Sequence, residues 1–332
     1  MKKFFAVLAL VLMFLSSFTS SIQAKQANAE PQQKIDLAMT LKFIEGWSTR
    51  DKWDKFPESP SFAYYNTYSL KTLNAEISPE LKQKIVVALK SCQMKDGGFS
   101  AGPDHGTESN TIFTYYSLAT LDLLNALDSI DRQQAITYVR SLVQKDGGIK
   151  AKAADAGATL ATTYYGVASL GLLHALDTVD RKIVIDYINT YREGRKGYCL
   201  IQGKISMPGA TFMAVKSLSL LNGLTPSVRT EVVNYLKGSR YSGRMKQNTY
   251  STQPSMQDMA AVLDTLAELS SLNVIDKSSV YKFIESLYIP ENGGFGPEPG
   301  LGTTPPSTYH AVNCLAKIGK LDVLYPPLRK RS

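Results

Sequence analysis

One type of segment recurs through almost the whole chain at a fixed interval. Each copy ends in a leucine, and consecutive leucines are 48 or 49 residues apart: Leu73, Leu121, Leu170, Leu218, Leu266 and Leu315. A second series of apolar segments, such as QAITYVRSLVQ and IVIDYINTYRE, lies between these copies. Self-similarity at a fixed period indicates that one supersecondary unit is repeated. The spacing therefore predicts six units of two helices each.

The two series differ in the amount of each helix that should be buried. In DRQQAITYVRSLVQ the apolar residues recur at helical spacing and charged residues fill the other positions, which predicts one face in water. TLATTYYGVASLGLLHAL is apolar or small nearly all round, which predicts burial on every side. We therefore expect an all-α (α/α)6 toroid, in which six parallel inner helices lie within six outer helices. An open solenoid is the alternative, but its last unit should be a polar cap.

The junctions between the two series share a short pattern. An Asp or Asn is followed by two glycines at Gly97, Gly147 and Gly293. Glycine adopts the left-handed conformation that ends helices, and Asp or Asn tolerates the turn before it. No strand precedes these glycines, so they predict turns at the ends of the outer helices and not a phosphate-binding loop.

The first residues are expected to lie outside the toroid. Lys2 and Lys3 precede an unbroken apolar run at positions 4–15, and small residues follow at Ala24, Ala27 and Ala29. This layout is typical of a secretory signal peptide, and the run is shorter than the roughly 20 residues that span a bilayer. We predict a signal peptide at 1–29, a single toroid domain at 30–325 and a basic tail at 326–332. The protein should be exported, to the periplasm or the extracellular space, with cleavage after Ala24 or Ala29.

Charge and cysteine content narrow the class of partner. The net charge is +8, and cleavage after Ala29 would remove Lys2, Lys3 and Lys25, leaving +5. No basic stripe with interleaved aromatic residues is present, so we expect no nucleic-acid binding. Cys92, Cys199 and Cys314 match no disulfide framework or zinc knuckle, and they are expected to be buried free thiols.

The centre of such a ring is the place to look for function. Six helices about 9 Å apart and about 10 Å thick leave a hole roughly 8 Å wide. The inner segments carry aromatic residues near their starts, which either plug the hole or wall a cavity suited to an apolar ligand. The predicted ligand-binding residues of this kind are Tyr65, Tyr115, Tyr116, Tyr164, Tyr165, Phe212 and Tyr309.

The phrase QMKDGGFSAGPDHGTESNTIFTYYSLATL carries a family resemblance. Its Q-x-x-D-G-G-F turn and Tyr-rich helix resemble the repeat of the prenyltransferases and squalene cyclases, most closely the β subunit of the protein prenyltransferases. The resemblance covers nearly all of the mature chain and implies the α/α toroid. For a prenyltransferase it also implies a zinc ion held by Asp, Cys and His, a basic pocket for a lipid diphosphate, and an α subunit.

The chain departs from that pattern at the site residues. The segment STYHAVNCL resembles the family's F-Y-H-T-x-Y-C-L, which puts His310 at a zinc-ligand position, but Gln253-Pro254-Ser255-Met256 stands where Asp-Gly-Cys-Tyr is expected. A catalytic zinc needs three protein ligands, so we expect neither zinc nor another cofactor. Of the basic residues that form the family's diphosphate pocket, two have counterparts in this chain, Arg244 and Lys246. The D-x-D-D acid of the cyclases is absent from the sequence.

The sequence leaves three functions open. The first is an exported toroid that handles an isoprenoid or similar apolar ligand, and the second is a non-catalytic module of the same fold that binds a peptide, lipid or partner. The third is a carbohydrate-active enzyme, which needs paired carboxylates across the cavity. Catalysis stays open, with His105, Glu108 and His310 as candidates, whereas His174 is expected in the core. Export argues against an α subunit, so the expected partner is an apolar small molecule or a peptide.

Overall fold

The computed structural model describes residues 35–49, 60–102, 108–238 and 255–324. By its contacts the chain divides into residues 1–35 and residues 36–332, and the second unit contains every described helix. The outer helices are α1 (Leu37–Thr49), α3 (Pro79–Ser91), α5 (Arg132–Ser141), α7 (Arg181–Asn189), α9 (Pro226–Lys237) and α11 (Lys277–Glu285). The inner helices are α2 (Pro60–Thr72), α4 (Thr111–Leu123), α6 (Leu160–Leu172), α8 (Pro208–Leu220), α10 (Met256–Glu268) and α12 (Pro305–Lys317). A last short helix, α13, spans Leu321–Leu324.

The inner helices form a closed ring within the second unit. Each packs against the next along the chain, and α12 packs against α2. Every inner helix has 13 residues. Side chains at equivalent positions of neighbouring helices are in contact, as Tyr115 is with Tyr164 and Tyr116 with Tyr165, so these helices run in parallel. The predicted (α/α)6 toroid is confirmed, because an open solenoid would leave α2 and α12 apart. Tyr115, Tyr164 and Tyr309 lie on inner helices, and Tyr138 lies on an outer helix, as predicted.

The six periodic leucines are the core of the repeat. All of them are at most 2 % exposed, because each lies between its own inner helix and the outer layer. One representative cluster joins Ala63, Leu121 and Leu124 of inner segments to Ile85 and Leu89 of α3. Burying an aliphatic side chain of this size stabilises a fold by about 1.5–3 kcal/mol, so each periodic leucine contributes to the stability of its unit.

The turns between outer and inner helices repeat one hydrogen-bond arrangement. In three of them an Asp or Asn side chain accepts the backbone N–H two residues later, for example Asp146 from Gly148 at 3.0 Å. The N–H of the next residue then donates to a threonine in the inner helix, as Ile149 does to Thr163 at 3.0 Å. The same bond joins Phe99 to Thr114, Tyr198 to Thr211 and Phe295 to Thr308. In the last unit the turn is a hairpin in which β1 (Tyr288–Ile289) pairs with β2 (Gly294–Phe295).

The glycines in these turns are required because their φ angles are positive and because a Cβ would clash with the next outer helix. Gly147 has φ +91°, and a Cβ built on it would lie 2.4 Å from the backbone oxygen of Ile183 in the following outer helix. Gly293 has φ +79°, and its Cβ would lie 2.4 Å from the backbone of Met39 in α1. Thr40 also donates to the Gly293 carbonyl at 2.7 Å. The last turn thus meets the first helix, and the outer layer closes as the inner one does.

Three details differ from the sequence-based expectations or extend them. The outer helices end several residues before the glycine turns, at Ser91, Ser141 and Glu285. His174 is not a core residue: it is exposed, with φ +55°, and lies two residues after the end of α6. Asn74, Asn125, Asn222 and Ser270 take the same left-handed conformation after other inner helices, so the position serves helix termination.

The three cysteines are buried and free, as predicted. None of the helices in the described part of the chain has the length and apolar character needed to cross a bilayer. The predicted signal peptide and the basic tail lie outside the described residues.

Candidate active site or binding cavity

A belt of tyrosines crosses the centre of the inner ring. It consists of the paired residues in the second turns of α2, α4 and α6, together with one residue of α12: Tyr64, Tyr65, Tyr115, Tyr116, Tyr164, Tyr165 and Tyr309. Tyr65 and Tyr309 have ring centroids 4.9 Å apart across the closure of the ring, and Tyr115 and Tyr165 lie 5.4 Å apart. Most neighbouring rings are tilted or edge-to-face, the geometries that aromatic pairs prefer.

The hydroxyl groups of this tyrosine belt form a chain. The Tyr116 hydroxyl lies 3.1 Å from that of Tyr65 and 3.4 Å from that of Tyr165. Burial raises the pKa of all three phenols above the ordinary value. They therefore stay protonated and act as neutral donors and acceptors toward each other or toward a ligand.

The belt leaves a cavity on the side of α8 and α10. There the equivalent positions carry smaller or flexible side chains, including Met213 and Ala261, and Gly209 leaves open space where a Cβ would be. The cavity volume is about 150 Å³. Its described lining residues are the seven tyrosines of the belt with Gly209, Phe212, Met213, Gln257, Ala261, Asp264 and His310. The two expectations from the sequence, a plug and a cavity, thus apply to different halves of the ring.

The end of the cavity at Asp264 is polar. The Asp264 carboxylate pairs with the Lys317 ammonium at 2.7 Å and accepts from the Asn313 amide at 2.9 Å. The Tyr68 hydroxyl donates to the amide oxygen of Asn313 at 2.8 Å. Burial alone would lower the pKa of Lys317, but the nearby Asp264 carboxylate more than offsets this and the pKa lies above its usual value.

His310 lies against the belt, with its ring centroid 4.9 Å from Tyr309 and 6.4 Å from Tyr65. Burial lowers the pKa of His310 to about 4, although the Asp264 carboxylate acts in the opposite direction. Its Nδ1 atom is buried without a hydrogen-bond partner among the described residues. At neutral pH the side chain is therefore an uncharged imidazole whose buried Nδ1 has no partner among the described residues.

The structure gathers most of the predicted site residues but not all of them. Tyr65, Tyr115, Tyr116, Tyr164, Tyr165, Phe212, Tyr309 and His310 line this one cavity. Glu108 does not line it: the side chain is 69 % exposed and pairs with Lys152 at 2.5 Å. His105, Arg244 and Lys246 lie outside the described residues, so their roles stay predictions.

Sequence reasoning missed the polar part of the cavity. Asp264 was the available signal, because it is a lone acid in the otherwise apolar segment AAVLDTL. Tyr64 shares the aromatic start of its inner helix with Tyr65, and the structure adds it to the cavity wall. Gly209, Met213, Gln257 and Ala261 gave no signal, since their place in the cavity depends on ring closure.

The residues present do not fit the zinc site that the family resemblance implies. Ser255 stands at the position where the family has the zinc-binding cysteine. Its hydroxyl caps α10, because it accepts from the Asp258 N–H at 3.1 Å and donates to the Asp258 carboxylate at 3.0 Å. Asp264 is paired with Lys317. Within the described ranges no three His, Cys, Asp or Glu side chains are grouped as metal ligands. Asp264 is also the one carboxylate among the described lining residues, so these residues contain no acid pair of the glycosidase type.

Comparison with known proteins supports the fold. In solved structures, the chain is similar to Candida albicans protein geranylgeranyltransferase-I complexed with GGPP, with TM-score 0.72, 14 % identity, and coverage of 86 % of this chain and 92 % of that one. It is also similar to the type II terpene cyclase MstE from Scytonema, with TM-score 0.59, 14 % identity, and coverage of 87 % and 99 %. A variant of that cyclase in complex with geranylgeranyl dihydroxybenzoate matches with TM-score 0.56, 14 % identity, and coverage of 87 % and 97 %.

The family follows from a match along the sequence. The model of the prenyltransferase alpha-alpha toroid domain matches residues 48–249 and 244–326, which together span most of the chain and all six inner helices. The protein therefore belongs to the prenyltransferase alpha-alpha toroid family.

Proposed function

We propose that this protein is an exported member of the family that binds the end of an isoprenoid alcohol in the central cavity. The observation that carries the proposal is the half-filled ring: seven tyrosines and Phe212 enclose about 150 Å³ next to an imidazole with an unpartnered nitrogen. Aromatic walls suit an apolar chain, and a few convergent polar groups orient it. The tyrosine hydroxyls favour an alcohol over a bare hydrocarbon, because a hydroxyl on the ligand can exchange hydrogen bonds with them.

The size of the cavity limits what it can hold. A cavity of roughly 150 Å³ in another protein holds one benzene molecule, so this one encloses about one five-carbon isoprene unit and not a long chain. The lining runs from Asp264 in the third turn of α10 to Gln257 and Gly209 in the first turns of their helices, and Gln257 is exposed. We place the mouth at that end, between α8 and α10, with the rest of a longer chain extending out of it.

The energetics fit weak binding. An isoprene unit has about the apolar content of a Leu side chain, so burying one unit gains roughly 1.5–3 kcal/mol, and partial burial of a second unit at the mouth adds to this gain. Association costs of about 4 kcal/mol or more offset much of this gain. We expect affinity to rise from a one-unit to a two-unit alcohol and to change little beyond that, unless the tyrosine belt rearranges.

The test is calorimetric or fluorescence titration with prenol, geraniol and farnesol. Gly209→Trp should fill the cavity and abolish binding of all three, because a side chain at this position enters open space. Gly157→Trp is the matched control, since Gly157 is exposed and also has open space beside it but lies outside the cavity. Equal binding by wild type and Gly209→Trp would refute the cavity as the site, and binding of none of the alcohols would refute the ligand class.

The relatives support the ligand class without fixing it. One similar structure holds GGPP and another holds geranylgeranyl dihydroxybenzoate, and both ligands carry isoprenoid chains. In this chain Asp264, the described acid of the cavity, forms an ion pair with Lys317. This pairing favours a binding role over proton transfer to the ligand.

Export is a separate part of the proposal and has its own test. The charged start, the apolar run at 4–15 and the small residues at Ala24 and Ala29 support it. N-terminal sequencing of the protein recovered from its own host should give a chain that begins at Lys25 or Glu30. An intact Met1 in protein recovered from the cytoplasm would overturn export and leave the cavity proposal standing.

A further inference from the structure

Exposed apolar side chains are concentrated in one loop. The described residues include eight large apolar side chains that are exposed, and four of them lie between positions 200 and 207: Leu200, Ile201, Ile205 and Met207, at 43 % to 65 % exposure. Single exposed apolar residues are ordinary, but contiguous apolar patches on a surface mark interaction sites. We define these four residues as the apolar loop.

The loop is anchored where it enters α8, so the exposure of its side chains does not come from a loosely held backbone. The Glu193 carboxylate accepts from both the N–H and the hydroxyl of Ser206 at 2.6 Å. The Tyr235 hydroxyl donates to the Ser206 carbonyl at 3.0 Å. The Met207 N–H donates to the Tyr198 carbonyl at 2.9 Å. The fold therefore holds the backbone in place while it leaves the apolar side chains in water.

The position of the loop links it to the cavity. It leads directly into α8, whose first turn contains the cavity-lining Gly209. It therefore lies at the end of the ring where the lining residues reach the surface. An apolar surface next to the mouth would shorten the path of an isoprenoid through water.

The charges around the loop have one predominant sign. Arg195, Lys196 and Lys204 are exposed. Glu193 is the one acid at positions 190–210, and its carboxylate is engaged by Lys196 at 2.7 Å as well as by Ser206. An apolar patch bordered by cations matches the interface of a membrane with anionic lipids, where apolar side chains enter the acyl boundary and basic residues meet the headgroups.

We propose that the apolar loop docks this protein on the surface of an anionic lipid bilayer and presents the cavity mouth to it. The docking is peripheral, through a loop and not a spanning helix. It does not depend on which ligand the cavity holds, so it can stand if the isoprenoid proposal fails.

The experiment is co-sedimentation of the purified protein with vesicles of phosphatidylcholine mixed with phosphatidylglycerol. Ile201→Ser and Ile205→Ser should each weaken partitioning by roughly tenfold, given the transfer free energy of one buried Ile side chain. Val87→Ser and Val323→Ser are matched controls, because they remove side chains that are 55 % and 72 % exposed elsewhere, and they should leave partitioning unchanged. Arg195→Gln with Lys204→Gln should weaken binding to the mixed vesicles and leave the small binding to pure phosphatidylcholine unaltered.

Three results would overturn the proposal. The first is that wild type does not partition onto the mixed vesicles. The second is that the loop and control variants partition alike. The third is that wild type self-associates in sedimentation velocity instead, and that Ile201→Ser abolishes this association, which would assign the loop to a contact between copies of the chain. All six exchanged residues are exposed, so unchanged thermal melting should accompany each result.

Discussion

Asp264 of α10 and Lys317 of α12 form an ion pair of 2.7 Å inside the ring, with only 17 % and 21 % of their side chains exposed. Asn313 connects this pair to Tyr68 of α2, 245 positions earlier in the chain. The network therefore joins the last two inner helices to the first, where the ring closes. It also forms the polar end of the cavity.

The pair predicts an asymmetric response to substitution. Lys317→Met should destabilise the fold by about 3 kcal/mol, because it leaves a largely buried carboxylate without its partner. Asp264→Asn combined with Lys317→Met should recover most of that loss. Urea unfolding of the three proteins measures it. Lys182→Met is the control, since the Lys182–Asp186 pair is 83 % and 60 % exposed, and it should change the free energy of unfolding by less than about 0.5 kcal/mol.

His310 predicts a loss of stability in mild acid. Its pKa is about 4 when folded and close to the ordinary value of roughly 6.5 when unfolded. Between these values the unfolded chain binds the proton and the folded chain does not, so stability falls as pH decreases. The expected loss from pH 8 to pH 5 is about 2 kcal/mol. His310→Gln should reduce the difference between unfolding free energies at the two pH values by that amount, and an unchanged difference would contradict the burial of a neutral imidazole.

The turn glycines predict a contrast between two Ala substitutions. Gly147→Ala should cost about 1–3 kcal/mol or more, because φ +91° is strained for any L residue and the Cβ would meet a fixed backbone oxygen. Gly157→Ala should be neutral or slightly stabilising, since nothing lies within 4 Å of its Cβ. Thermal and urea denaturation of the two variants tests this, and equal stabilities would show that the turn does not pack on the next unit as described.

The hydrogen bond from each turn to a threonine of the inner helix predicts a loss of stability when that threonine is replaced by valine. Thr163→Val keeps the shape of the side chain but removes the acceptor of the Ile149 N–H. A buried donor without a partner costs about 1–3 kcal/mol. Thr137→Val, on the exposed face of α5, should change the unfolding free energy by less than about 0.5 kcal/mol. Slow amide exchange at Ile149 in wild type, and faster exchange in Thr163→Val, would identify the bond directly.

The prediction of the fold succeeded because the sequence carries it in local and periodic form. The spacing of Leu73 through Leu315 sets the number of units, and the contrast between wet and fully apolar segments assigns outer and inner layers. The glycine turns were visible for the same reason, since an Asp or Asn before two glycines has a conformational meaning that does not need a tertiary context. The aromatic starts of the inner helices also indicated the cavity wall.

The tertiary structure alone decided the content of the cavity. An inner helix is apolar on every side, so its periodicity does not separate the residues that face the ring centre from those that face a neighbouring helix. Gly166 illustrates this, because a Cβ built on it would lie 2.7 Å from the Ile149 side chain and would not enter the cavity. Asp264, Asn313, Lys317 and Tyr68 meet only when α12 returns to α2, and that closure sums small rotations over six units. The sequence thus determined the ring, and the closure of the ring determined which side chains share its centre.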